Sequence, residues 1–250
     1  MPLSRCRRSF LPKITSKYMI KLRILSAGAA QAVVEKIAAG YTRETGNTIE
    51  GEYSAVGAMK ARVIAGESVD VVLLTGALID ELVQSGHVVA GSRADLGKVG
   101  TGVAVRAGAT RPDVSSAQAL RAALLSASTV TFPDPAVATA GKVVMQVCEK
   151  LGVADEVKRK MKLFPNGYAA MKWLGETSGN ELGITQITEI LANPGVNYIG
   201  PLPGDLQSKS VYSAGLAAKA AQPAAGKEFI ARLTSSSAKG ILKAAGYELD

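Results

Sequence analysis

A chain of 250 residues with one histidine and two cysteines is short of the side chains that most metal and nucleophile chemistry needs. His87 follows the helix-ending Gly86, where a polar turn residue is the ordinary occupant, so a Ser-His-Asp or Cys-His arrangement finds little support. Cys6 and Cys148 lie far apart, and one of them sits in an odd N-terminal segment. No disulfide and no metal-ligand cluster is expected, and no cofactor is implied. No apolar stretch reaches the roughly 18 residues of a membrane span. Aromatics make up only 5% of the chain while hydrophobic residues make up 47%, which leaves a core of Ala, Val, Ile and Leu. That is the palette of alternating strand–helix units.

The chain also lacks a basic surface run. Its net charge is +8, but Arg5, Arg7, Arg8, Lys13 and Lys17 fall within residues 1–19, which hold no acid, so the remainder is nearly balanced. Past Met19 no Lys/Arg cluster with interleaved aromatics appears, and nucleic-acid binding is not expected. The segment MPLSRCRRSFLPKITSKY is basic and modestly rich in Ser, which weakly resembles an organelle transit peptide; a start at Met19, directly before the first strand, is an equally simple account. Its apolar stretch is too broken for a secretory signal, so a cytoplasmic protein starting at Met19 is favoured over a periplasmic one. Residues 1–19 are read as an extension or targeting segment, and residues 1–18 as no part of the fold.

What is there begins at Lys21. KLRILSAG is a strand, and QAVVEKIAAGYTRETG is a helix by the spacing of Val33, Val34, Ile37, Ala38 and Tyr41, closed by Gly46. NTIEGEYS, AVGAMKARVIAGE, VDVVLLTG and ALIDELVQSG repeat the pattern, and three such units predict a parallel sheet. GKVGTGVAVRAGA reads as a strand leaving one lobe for another. Helix SSAQALRAALLSA, strand STVTFPDP, helices ATAGKVVMQVCEKLG and NGYAAMKWLGET, strand ELGITQ and the short helix ITEILAN follow. VNYIGPLPGDLQ gives a strand and a Pro-rich turn, SVYSAGLAAKA a second crossing strand, and two helices finish the chain.

The order of ILSAGAAQAVVEKIAAGYTRETG, SAVGAM, VDVVLLTG, DPAVATAG and the late GPLP resembles the molybdate-binding-protein branch of the type II periplasmic binding proteins, the substrate-binding family of ABC transporters. The opening LSAG is similar to a subgroup related to aconitate isomerase. The resemblance covers about Lys21 to Tyr247. It implies an α/β fold of two lobes joined by two crossing strands, with a ligand cleft between them: lobe one 20–104 plus 212–250, lobe two 105–211. It implies a ligand held by helix N-termini, whose free N–H groups and partial positive charge suit an anion without Lys or Arg.

Carried over position by position, the family's first serine contact falls on Ala29, in the turn with Gly28 and near Ser26. The second falls in the turn Ser54, Ala55, Val56, Gly57. Both hydroxyls that grip a tetrahedral oxyanion are absent from their places, which points to a planar carboxylate instead of molybdate. In lobe two the match places Thr139 and Ala140 at a helix N-terminus, and Gln186 stands where a Tyr is often found. Thr75 ends a strand toward the same crevice, and Tyr168 either caps the ligand or simply starts a helix. Lys60, Arg62 and Lys142, one turn into their helices, read as a solvated face.

The function implied is a monomeric solute-binding protein closing on a small organic di- or tricarboxylate or oxyanion, with an ABC permease as its partner. The alternative is an isomerase of a small polycarboxylate on the same scaffold, which needs a general base near an acidic C–H. No poised acid–base pair stands out in the cleft segments, so the binding protein stands first.

Overall fold

The computed structural model describes residues 19–249; the expectations about residues 1–18 fall outside the described residues. The first part of the chain runs β1 (Lys21–Ala27), a 3-10 turn (Gly28–Ala30) continuous with α1 (Gln31–Thr45), β2 (Thr48–Ser54), α2 (Val56–Ile64), β3 (Val71–Thr75) and α3 (Gly76–Gln84). Next come β4 (Ala94–Arg106), α4 (Ala117–Ser126), β5 (Thr129–Pro133), α5 (Thr139–Lys150), α6 (Ala154–Lys160), β6 (Met161–Phe164) and α7 (Gly167–Gly175). The chain closes with β7 (Glu181–Gln186), α8 (Ile187–Leu191), β8 (Val196–Pro201), β9 (Lys209–Leu216), α9 (Pro223–Leu233) and α10 (Lys239–Ala244).

β2, β1 and β3 are parallel neighbours, as the repeated strand–helix pattern predicts, and β3 is buried at every position. A strand covered on both faces must be apolar throughout, which is what VVLLT supplies. α1 lays Val33, Val34 and Tyr41 against the sheet. It stops at Gly46, whose φ of 77° lies in the left-handed region that a residue without Cβ enters freely. β7, β5 and β6 form a second parallel set. Residues 154–164, to which the sequence pattern assigned nothing, form α6 and β6; β6 is an edge strand with Met161, Lys162 and Leu163 all exposed, so it lacks the alternation that betrays a strand.

β4 joins the two sets. From Ala94 to Gly100 it pairs with β9, and from Thr101 onward with β7 and β8, always antiparallel. The amide of Gln207 grips Thr101 at the switch, accepting from its N–H and donating to its carbonyl at 2.9 Å each. Buried apolar residues divide at the same place. One cluster runs from Leu22 to Val99 and resumes at Tyr212, and the others lie between Val103 and Leu202. The C-terminal α9 belongs to the first cluster. Its Phe229 meets Tyr41 edge-on at 5.4 Å, and Asp70 accepts the N–H groups of Arg23 and Gln222, tying β1 to the start of α9. Truncating a ring buried like Phe229 costs about 3–5 kcal/mol.

Candidate functional site

Between the two clusters lies a small cavity lined by Ala27–Ala29, Ser54–Val56, Pro133, Ala138–Ala140, Asn166, Gly167, Gln186, Glu189 and Tyr212. Its walls are the carboxyl ends of β1, β2, β5 and β7 and the helix starts that follow them. The first turns after β1, before α2 and before α5 have no side-chain cap, and apart from Gly57, whose N–H is taken by Val137, their leading backbone N–H groups are not tied up by a capping side chain. No Lys, Arg or His lines the space. The positive potential in the cavity therefore comes from helix ends, each equivalent to roughly half a positive charge, with the neutral side chains of Ser54, Thr139, Asn166, Gln186 and Tyr212 beside them.

The lobes are closed over this space. Gly57 of α2 donates its N–H to the carbonyl of Val137 across the cleft at 3.1 Å. A Cβ on Gly57 would sit 2.9 Å from that oxygen, so the close approach requires glycine.

Of the residues singled out from the sequence, Gly28, Ala29, Ser54, Val56, Thr139, Ala140 and Gln186 meet at the cavity. Gly57 makes the interlobe contact just described. Ser26, Thr75 and Tyr168 are not in the lining. The Ser26 hydroxyl is fully buried and donates to the Ala27 carbonyl, Thr75 is buried at the N-cap of α3, and Tyr168 is half-buried in the first turn of α7. Lys60 pairs with Glu81 and Arg62 with Glu52 and Glu67, so both serve ion pairs on lobe one. Cys148 is a buried free thiol, and burial pushes its pKa up to about 11, which leaves it inert. Gln186 is only 3% exposed, and its Oε1 has no partner among the described residues. A buried acceptor at the cavity wall with no protein partner is satisfied by a water or by a donor of whatever occupies the cavity.

The cavity wall also holds a buried carboxyl, Glu189, that was not among the candidate residues. It is the third residue of α8 and accepts the N–H of Gln186, the helix's N-cap, in the manner of a capping box. It also accepts from the Thr185 hydroxyl at 2.6 Å and from the N–H groups of Gly167 and Tyr168 at the start of α7. Burial pushes its carboxyl up to about 7, against those hydrogen bonds, which favour the charged form. Its Oε1 faces lobe one so closely that a Cβ on Gly28 would sit 2.7 Å away. Tyr212, from the crossing strand β9, completes the wall; burial first and Glu189 second hold its phenol well above the ordinary value, so it stays a neutral O–H. The signals were present as Gln-x-x-Glu after the strand ELGITQ and as a Tyr on the second crossing strand.

Residues 22–248 match the family described as bacterial extracellular solute-binding protein. An aconitate isomerase from Pseudomonas sp is 28% identical over 244 residues, 95% of this chain and 91% of that protein. Among solved structures, the periplasmic molybdate-binding protein of Azotobacter vinelandii matches with a TM-score of 0.77 at 20% identity, over 92% of this chain and 99% of that one. PEB3 with L-phospholactate bound matches with a TM-score of 0.67 at 15% identity, over 92% of this chain and all of the other. The fold is thus the two-lobed α/β arrangement of the periplasmic binding proteins.

Proposed function

The chain belongs to the bacterial extracellular solute-binding protein family, and on that premise we propose that it closes its lobes on a small organic anion, a di- or tricarboxylate. The lobes divide at the crossing strands. The observation that carries this reading is the convergence of uncapped helix starts from both halves on a cavity without one cationic side chain. A carboxylate takes two donors from a helix end, while its carbon skeleton rests on Ala27, Ala29, Val56 and Ala140. The wall offers a tetrahedral oxyanion fewer hydroxyls than the family pattern does, since Ala29 and the Ala55–Val56 pair stand at the serine places. A receptor of this kind acts as a monomer and delivers its anion to an ABC permease. A thermal-shift panel of oxyanions and of di- and tricarboxylates tests it: polycarboxylates raise the melting temperature, and a panel in which only molybdate or sulfate does so refutes it.

A specific residue favours a second reading, an isomerase of a small polycarboxylate. Glu189 is a cleft carboxyl whose pKa near 7 suits a general base at neutral pH, and Tyr212 stands beside it as a neutral donor. The relative named aconitate isomerase points the same way. An NMR time course with trans-aconitate decides between them. Binding without change supports the receptor, and appearance of the cis isomer supports the enzyme.

A further inference from the structure

An anion seated on these helix ends has a neighbour of its own sign. Glu189 lines the same cavity, and among the described residues no cation is counted among the groups that act on it. The elements packed around it offer no countercharge. From β7 comes the Thr185 hydroxyl, and from α7 the N–H groups of Gly167 and Tyr168. From β9 comes Tyr212, and from the segment after α10 comes Tyr247, whose hydroxyl donates to the Ala29 carbonyl at 3.2 Å. Around Gly102 of β4, α8 presents Ile187 and Ile190 beside the Tyr198 ring of β8. From lobe one comes the backbone of Gly28.

Two negative charges in one closed, cation-free cavity are avoided most simply by neutralising one of them. We propose that the anion and a proton enter together: a carboxylate on the helix starts is bound with Glu189 protonated, the proton coming from solvent, and the neutral acid then donates to the ligand. This rests on the carboxylate reading above. It adds that Glu189 is a selectivity element, because it favours a ligand able to accept a hydrogen bond from a carboxylic acid. The free carboxyl, held up to about 7 by burial, is already half-way to that state at neutral pH.

The test is calorimetric titration of trans-aconitate into the full chain, in phosphate and in Tris, between pH 6.5 and 8.5. At pH 8 the buffer dependence of the heat should report uptake of close to one proton per ligand. The affinity should fall by up to about tenfold per pH unit above pH 7. Glu189→Gln should remove both effects while still binding. Binding with no proton uptake and no pH dependence in the parent protein overturns the proposal, and the parent protein alone decides this if the variant does not fold. If trans-aconitate binds at no pH, the carboxylate reading fails, and a ligand-free experiment decides the rest. With 13Cδ-glutamate labelling, the Glu189 signal titrates near pH 7 if the proposal stands; a midpoint in the ordinary range near 4.5 overturns it.

Discussion

Replacing Gly57 by Ala adds one methyl group at the point where the two lobes touch. The new Cβ would sit 2.9 Å from the Val137 oxygen and 3.6 Å from that residue's carbonyl carbon, both backbone atoms of the opposite lobe. Ordinary contact requires about 0.5 Å more, and opening the cleft by that amount stretches the 3.1 Å Gly57–Val137 hydrogen bond to the edge of usefulness. The lost bond costs about 0.5–1.5 kcal/mol and the crowding about 1–3 kcal/mol, so the closed form should weaken by about 1.5–4.5 kcal/mol relative to the open one. Affinity for the anion should then fall about 10- to 1,000-fold. The lobes themselves should not suffer. Gly57 lies in the first turn of α2 without a positive φ, where Ala is the better helix former by up to about 1 kcal/mol. The ligand-free melting temperature should stay level or rise. Calorimetric affinity and a thermal melt on the same preparation check both halves. Unchanged affinity, or a ligand-free melting temperature lowered by more than about 4 °C, would refute the assignment of this contact to closure.

Ala140→Leu projects a larger side chain from the start of α5 into the cavity wall; it should weaken binding at least about tenfold, by calorimetry, with a near-normal melting temperature. Molybdate and tungstate should show no sub-micromolar binding in the same calorimeter, because Ala29 and the Ala55–Val56 pair supply no hydroxyl. Because the Glu189 carboxyl is raised in the fold, its contribution to stability is fully present below about pH 4.5 and is lost as pH rises through about 7. Urea unfolding at pH 5 and pH 8 should show a loss of up to about 3 kcal/mol from this group, and Glu189→Gln should remove that part of the slope.

Most of the architecture was legible because burial writes itself into the sequence at two periods. VVLLT can only be a strand covered on both faces, and Val33, Val34 and Tyr41 can only face one side of a helix. β6 was not legible because its side chains meet solvent, so nothing constrained their alternation. The site divided in the same way. Its small residues were found because tight strand-to-helix turns demand them, and the turns fall in family order. Glu189 was missed because ITEIL reads as an ordinary short helix with an acidic surface residue. Its inward orientation follows from contacts that are distant in sequence: the N–H groups at the start of α7 hold its carboxyl, and the 3-10 turn Gly28–Ala30 packs against α8. Ser26 and Thr75 lie outside the lining: the Ser26 hydroxyl donates to the Ala27 carbonyl, and Thr75 is buried at the N-cap of α3.

A buried carboxyl beside an anion site looks at first like a liability for a receptor. Its repulsion of a carboxylate about 6 Å away, at an effective dielectric of about 20, is about 3 kcal/mol while it stays ionised. Protonating a group with a pKa near 7 at pH 7 costs only about 0.4 kcal/mol, so proton uptake is much the easier route and the site keeps its affinity at neutral pH. The same balance, half ionised at neutrality, is what a general base in a proton-shifting enzyme requires. The two readings therefore share one physical property and part only at the atom that faces Glu189 in the closed cavity. A carboxylate oxygen there takes a hydrogen bond from the neutral acid and makes a proton-linked receptor, whereas an acidic C–H there meets the ionised form and makes an isomerase. The receptor should bind more tightly as pH falls from 8.5 to 6.5. The enzyme's turnover should rise across the same interval as pH is raised, so one pair of pH profiles, affinity and rate, tells which atom Glu189 meets.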